Sequence, residues 1–111
     1  MREDGKIDYV EWPAGDLKAA KSFYAAAFGW TFQDWGDSYC DCNEGLNAGF
    51  TSEPHVPAPL VILYAHDLEA MQAKVEAAGG VISRQIMSFP GGRRFHFKDP
   101  AGNELGVWSQ A

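Results

Sequence analysis

The sequence predicts an α+β fold made of two consecutive βαβββ modules in one domain of 111 residues. Three observations predict it: two similar helical segments, a strand-like run before each of them, and three strand-sized pieces after each. Repeated modules with apolar faces on helix and sheet usually bury those faces by packing together. We therefore expect one domain over residues 1–111, with modules at 5–50 and 58–110 joined by a proline-rich linker at 51–57.

The first module begins with the strand-like run KIDYVEW and continues with the helical segment DLKAAKSFYAAAFG. Asp16 is a suitable N-cap for this helix, and Gly29 is a suitable C-terminal stop. An apolar stripe at helical spacing lies between them, formed by Leu17, Ala20, Tyr24 and Ala27. Breaks at Gly, Asp and Asn then divide the chain into three predicted strands, around Trp30–Trp35, Ser38–Cys42 and Leu46–Phe50.

The second module repeats this order. PLVILYA precedes DLEAMQAKVEAAGG, in which Asp67 and Gly80 match Asp16 and Gly29 at one constant offset. The second apolar stripe consists of Leu68, Met71, Val75 and Ala78, and the three predicted strands are Val81–Met87, Arg93–Lys98 and Glu104–Trp108. A chance repeat of helix-favouring alanines is the alternative, which the matched caps and the equal strand order disfavour.

The composition indicates a folded protein that binds neither nucleic acid nor membranes. Hydrophobic residues make up 46% of the chain, and the formal net charge of −6 disfavours anionic partners. The N-terminal residues are polar and no apolar run reaches transmembrane length, so we expect a cytoplasmic protein. Cys40 and Cys42 share one face of a predicted strand. Because no second Cys/His pair has zinc-site spacing, we expect free thiols rather than a soft-metal site or a disulfide.

Three stretches of the sequence carry a resemblance to a known family. FYAAAFGW, EAAGG and FKDPAGNELGVW, together with the paired modules, resemble the vicinal oxygen chelate superfamily. That group includes glyoxalase I, extradiol dioxygenases, fosfomycin-resistance enzymes and bleomycin-resistance proteins. The resemblance covers essentially the whole chain, and the F-x-D-P-x-G-N turn is a fairly specific marker in this setting. It implies a curved, half-open sheet from each module, a cavity enclosed by the two modules together, and commonly a homodimer.

The resemblance also implies where a metal ion would be bound in this superfamily. The implied ligand positions are Tyr9 on the first strand, Leu60 as its counterpart in the second module, and Gly106, three residues after the Asn of the turn. The counterpart of Gly106 in the first module is hard to place, and GLNAGF offers only Asn47 as a donor. Neutral tyrosine is a poor ligand, and leucine and glycine side chains cannot coordinate a metal. We therefore expect no metal at the usual site.

Strand alternation extends these positions into a predicted ligand-binding lining. Its members are Tyr9, Glu11, Leu60, Ile62, Arg94, His96, Glu104 and Trp108. In the fosfomycin-resistance branch, the position similar to His96 holds a tyrosine that touches substrate. The predicted lining mixes apolar walls with a few polar groups, which is typical of small-molecule sites.

Each polar residue of this lining also has a purely structural interpretation. Glu11 and Glu104 can form salt bridges with the two arginines of SFPGGRRF. His96 can act as a base or only balance a neighbouring carboxylate, and Trp108 can be a core residue rather than a stacking surface. The SFPGGRRF hairpin itself can be a lip over an anionic ligand or a solvated surface.

Gly106 allows two interpretations as well. Its missing side chain can leave an open patch where a ligand approaches the backbone, or it can make room for an aromatic residue such as Trp108. His55 in the linker and His66 beside a helix cap are expected to face solvent.

The leading hypothesis is a metal-free, cofactor-free protein that binds a small molecule and resembles the bleomycin-resistance branch, which sequesters its ligand without chemistry. In this hypothesis, Trp108 and Tyr9 stack on the ligand, and Arg94 and His96 make polar contacts with it. Glu11 or Glu104 supplies a counter-charge for a cationic group of the ligand. An enzyme of lyase, isomerase or dioxygenase type is the alternative. It would use a relocated metal or metal-free acid–base catalysis by Glu11, His96 and Glu104. A structural dimer or partner-binding module with a vestigial cavity is the third hypothesis.

Overall fold

A computed structural model describes residues 2–53 and 58–111, and it contains eight strands and two helices in the order βαβββ–βαβββ. The elements are β1 (Ile7–Pro13), α1 (Leu17–Phe28), β2 (Gln33–Asp34), β3 (Tyr39–Asn43), β4 (Asn47–Thr51), β5 (Leu60–Tyr64), α2 (Leu68–Ala77), β6 (Val81–Phe89), β7 (Gly92–Lys98) and β8 (Glu104–Ser109). This order confirms the α+β fold of two βαβββ modules that the sequence predicts.

Both helices begin at the predicted caps. The Asp16 and Asp67 carboxylates each accept a hydrogen bond at 3.0 Å from the backbone N–H three residues later. Gly29 ends α1 in the left-handed conformation, with φ of 74°. The second helix ends earlier than predicted, at Ala77, because Gly79 rather than Gly80 adopts a positive φ, of 103°.

The chain divides into two compact units. The N-terminal unit is Tyr9–Leu60, and the C-terminal unit is Val61–Ala111 together with residues 2–8. In the N-terminal unit the strand order is β2-β3-β4-β1, and in the C-terminal unit it is β5-β8-β7-β6. The first strand of each module pairs parallel with the last, and the remaining neighbours are antiparallel. The two modules therefore share one connectivity, as the repeat predicts.

The core of the N-terminal unit lies between α1 and one face of its strands. Buried Leu17, Cys40, Cys42 and Phe50 form it. Both cysteines are free thiols on this face, as predicted, and burial raises the pKa of Cys42 to about 11. The predicted strand around Trp30–Trp35 shortens to two residues, because Trp30 stacks on Tyr24 at 4.7 Å and packs against this core instead.

The core of the C-terminal unit lies between α2 and one face of β5, β7 and β8. Its buried members are Ala65, Leu68, Phe95 and Val107. Because strand side chains alternate, the neighbours of Phe95 and Val107 point to the opposite face of the sheet. Across residues 2–53 and 58–111, no helix is long and apolar enough to cross a membrane.

Candidate functional site

The sheet face of the C-terminal unit that points away from α2 carries two rows of side chains. Register places Arg84, His96, Gly106 and Ile62 side by side across β6, β7, β8 and β5, and Met87, Arg94, Trp108 and Tyr64 in the next row. Phe89 and Glu104 flank these rows. We call these ten residues the arginine face: Ile62, Tyr64, Arg84, Met87, Phe89, Arg94, His96, Glu104, Gly106 and Trp108.

Five of the eight predicted lining residues lie on the arginine face, namely Ile62, Arg94, His96, Glu104 and Trp108. Sequence reasoning missed Tyr64 on β5 and three residues of β6, namely Arg84, Met87 and Phe89. Two register shifts in β6, between Ile82 and Arg84 and between Arg84 and Met87, explain the omission on that strand. A bulge changes which residues of a strand share a face, so counting alternate positions fails along β6.

His96 is held neutral on this face, with only 2% of its surface exposed. The Arg94 Nε–H donates to His96 Nε2 at 3.1 Å, so that nitrogen carries no proton. The proton is therefore on Nδ1, which lies 3.5 Å from the Glu104 Oε2 atom. Burial and the nearby positive charges of Arg94 and Arg84 lower the His96 pKa to about 4. At neutral pH, His96 donates through Nδ1 and adds no charge.

Glu104 does not pair with an arginine of the hairpin. Its Oε2 atom accepts a hydrogen bond from the Ser83 hydroxyl at 2.9 Å, in addition to facing His96. Arg93 points to the other side of the sheet, where its guanidinium donates to both carboxylate oxygens of Glu69 at 2.5 and 3.0 Å. That exposed pair lowers the Glu69 pKa to about 2. The two hairpin arginines therefore act on opposite faces, so of the two interpretations of SFPGGRRF the structure does not support a lip formed by both cations.

Trp108 is half-buried and lies outside the α2 core. Its indole N–H donates to the Asp8 carboxylate at 2.9 Å. The Tyr64 and Phe89 rings lie 5.2 and 6.2 Å from it, and the Arg2 guanidinium lies 5.0 Å above it. Trp108 thus belongs to an aromatic cluster on the arginine face, with its polar edge anchored.

A second polar face lies in the N-terminal unit, on the side of the sheet that points away from α1. We call it the tyrosine face; its members are Tyr9, Glu11, Tyr39, Asp41 and Gly49. The Tyr9 and Tyr39 hydroxyls form a hydrogen bond of 2.5 Å, and the nearby Glu11 carboxylate, which is 2% exposed, adds a negative charge that raises the Tyr39 pKa. Burial raises the pKa of both tyrosines above the ordinary value, so both are neutral phenols.

The two hydroxyls meet directly above Gly49. A Cβ atom there would lie 2.0 Å from the Tyr39 hydroxyl and 2.2 Å from that of Tyr9. Only glycine therefore fits this position without displacing a tyrosine. Tyr39 and Asp41 were not predicted, although Cys40 and Cys42 on the core face imply that their neighbours face the other way.

Gly49 is also the counterpart of Gly106, which the sequence left unplaced. Gly49 lies between Glu11 and Asp41 in its sheet, just as Gly106 lies between Ile62 and His96. Asn47, the donor considered from sequence, instead accepts a hydrogen bond from the Asn43 amide at 2.8 Å. The shared pattern of a glycine before an apolar residue, AGF and LGV, was the available signal.

Few side chains that could coordinate a metal ion lie at the positions where the superfamily resemblance implies a metal site. Leu60 is buried, and the Tyr9 hydroxyl is bonded to Tyr39. Within the part of the chain that the structure describes, no group of three or more His, Cys, Asp and Glu side chains is placed to hold a metal ion. His66 is exposed, as predicted, and bonds to Asp4, whereas His55 lies outside the described residues.

Comparisons with known proteins agree with this fold. The sequence profile of the Glyoxalase/Bleomycin resistance protein/Dioxygenase superfamily matches residues 6–107. A comparison with curated protein sequences gives no significant match.

Similar solved structures include a protein from Legionella pneumophila described as an NAD-dependent benzaldehyde dehydrogenase (TM-score 0.76, 13% identity, covering 91% of this chain and 96% of that one). The Mn(II)-bound glyoxalase from Novosphingobium aromaticivorans has a TM-score of 0.69 and 24% identity, and it aligns with 99% of this chain, which spans 40% of that protein. Methylmalonyl-CoA epimerase from Mycobacterium tuberculosis has a TM-score of 0.67 and 14% identity, and the alignment covers 100% of this chain and 91% of that protein. The profile match, supported by these folds, shows that the chain belongs to the Glyoxalase/Bleomycin resistance protein/Dioxygenase superfamily.

Proposed function

We propose that this protein binds a small organic molecule against the arginine face. The observation that carries the proposal is the pairing, on one sheet face, of the aromatic rings of Phe89 and Trp108 with the polar groups of Arg94 and His96. Small-molecule sites combine apolar walls with a few well-placed polar groups. The hydrogen bond from Arg94 fixes the His96 tautomer and holds the polar groups of this face in a defined arrangement.

We propose further that binding needs no metal ion. The positions that the resemblance assigns to metal ligands hold Tyr9, Leu60 and Gly106, and register adds Gly49 as the fourth. A neutral phenol, an alkyl chain and two glycines do not fit a divalent cation, which requires several converging oxygen, nitrogen or sulfur donors. The donor chemistry of these four positions supports a metal-independent role.

Metal content is the first test of this proposal. Untagged protein would be produced with Ni, Zn, Mn and Fe supplied, purified without chelators, and measured by elemental analysis. We expect well under one metal ion per chain for every element. One tightly held ion per chain would contradict metal independence.

A ligand screen tests the binding role itself. We expect at least one compound class to bind saturably and to shift the indole N–H resonance of Trp108, which a Trp108→Phe variant assigns. A broad screen without any saturable binder at this face would overturn the proposed function. The homodimer that the resemblance implies and the cytoplasmic location remain part of the proposal, and light scattering and cell fractionation would test them.

A metal-free proton-transfer enzyme is the second candidate, because one observation on the tyrosine face favours it. The buried Glu11 carboxylate lies near the hydrogen-bonded phenols of Tyr39 and Tyr9, and its negative charge raises the Tyr39 pKa. A carboxylate beside two phenols can take or give a proton at the Tyr9 oxygen. If this candidate is correct, a bound ligand in D₂O will exchange an acidic C–H at a rate that Tyr9→Phe lowers. Binding without exchange would favour the sequestering role.

A further inference from the structure

The arginine face holds two guanidinium groups, on Arg84 and Arg94, and one carboxylate, on Glu104. Arg94 already has partners, so Arg84 is the guanidinium group to consider for a ligand. His96 adds no charge, because its Nε2 atom accepts from Arg94. The Glu104 carboxylate is already engaged by the Ser83 hydroxyl and faces His96.

Arg84 has a partner that does not balance its positive charge. It is half-buried, and its Nε–H donates to the Met87 sulfur at 2.8 Å. A thioether is a weak acceptor and carries no charge. Among the described residues, no carboxylate bonds to Arg84. Burial of an arginine favours an anionic partner, and its planar fork of N–H groups fits a carboxylate in a two-point contact.

The surroundings of Arg84 are apolar on one side. Met87 lies next to it along β6, and Phe89 follows two residues later. The Phe89 ring lies 6.2 Å from the Trp108 ring and 5.9 Å from the Arg94 guanidinium carbon. These side chains offer a thioether beside Arg84 and two aromatic surfaces further along the same face, which suits a flat apolar group attached to an anion.

We propose that the arginine face binds an organic carboxylate that carries a flat apolar group, with its carboxylate on the Arg84 guanidinium and its apolar part against Met87, Phe89 and Trp108. This inference rests on the proposed function, since it names the chemical class of the same site's ligand. Arg84 is the residue that selects the anion.

The test compares matched probes that differ only in charge: benzoate, phenylacetate and 1-naphthoate against their primary amides. Binding to the full chain is measured by titration in ¹H–¹⁵N spectra, followed at the Trp108 indole N–H. For fragments of this size we expect a Kd of order 1 mM for at least one carboxylate. The matching amide should bind at least about tenfold more weakly, because a charge-assisted two-point contact is lost.

Variants of two arginines on opposite faces provide the control. Arg84→Gln should weaken carboxylate binding about tenfold or more and leave amide binding unchanged, and Arg84→Lys should fall between Arg84→Gln and the unchanged chain. Arg93→Gln removes the same charge from the Glu69 pair on the other face and should leave both affinities unchanged.

Three results would overturn the inference: no binding by any carboxylate, equal binding of carboxylates and amides, or equal losses in Arg84→Gln and Arg93→Gln. The proposed function survives the first two results if neutral or cationic compounds from the screen still shift the Trp108 signal. It fails together with the inference only if no compound of any charge does so.

Discussion

At the scale of single residues, the hydroxyls of two residues distant in sequence, Tyr9 and Tyr39, require a glycine at position 49. Because a Cβ atom at Gly49 would overlap the Tyr9 and Tyr39 hydroxyls, Gly49→Ala must push at least one ring away and break their hydrogen bond. We expect the free energy of unfolding to fall by about 1–3 kcal/mol, the usual cost of overpacking. Urea unfolding followed by circular dichroism measures it.

The matched control for this prediction is Gly15→Ala. Gly15 has no positive φ, and a Cβ atom there would meet nothing within 4 Å. We expect a change of at most about 0.5 kcal/mol. Equal losses in the two variants would show that the tyrosine contact above Gly49 has no influence on stability.

At the scale of the elements, the sequence predicts regular segments well and irregular ones badly. Both helix caps and the shared face of Cys40 and Cys42 on β3 follow from local chemistry and from alternation, and the structure shows that this shared face is buried. In β6, by contrast, two register shifts depend on pairing with β7, which no local pattern encodes. For that reason His96 could be predicted on the site face, whereas Arg84 could not.

The helix caps give a prediction for the elements. Asp67→Ala removes the carboxylate that accepts the Ala70 N–H at 3.0 Å, so an N-terminal N–H of α2 loses its partner. We expect a loss of about 1 kcal/mol in the free energy of unfolding, and a similar loss for Asp16→Ala in α1. Thermal and urea unfolding measure both.

Asp67→Asn is the control for the cap, because its amide oxygen can accept the same hydrogen bond. It should retain most of the stability that Asp67→Ala loses. If the alanine and asparagine variants lose the same amount, the carboxylate acts by its charge near the helix end and not by capping.

At the scale of the whole molecule, the two units share one architecture but have different polar side chains on their sheet faces. Each unit has a parallel pair of first and last strands and a glycine at the equivalent position, Gly49 or Gly106. Yet one polar face carries neutral tyrosines beside carboxylates, and the other carries arginines beside a neutral histidine. The sequence predicts the repeat, because the connectivity of each module follows from the order of its helices and strands. It does not predict which charged residues share each sheet face, because that depends on the register between strands.

The stability of the whole molecule should depend on pH through His96. Its pKa is about 4 in the folded chain and about 6.5 when unfolded, so between these values the unfolded chain binds a proton that the folded chain excludes. The stability that comes from keeping His96 neutral in the folded chain is therefore fully present above about pH 6.5 and is lost as the pH falls towards 4. The Arg84 and Arg94 charges lower the pKa, and Glu104 opposes them. The pKa difference corresponds to a loss of about 3 kcal/mol.

His96→Gln separates this effect from the titration of carboxylates. Glutamine keeps an acceptor for Arg94 but cannot take up a proton, so we expect its free energy of unfolding to change less between pH 6.5 and 4.5 than that of the unchanged chain. The lowered pKa values of Asp4, Glu69 and Asp99 also make the fold less stable in acid, but their protonation falls mainly below pH 4. Equal slopes in His96→Gln and in the unchanged chain would mean that His96 is not held neutral by its arginine neighbours.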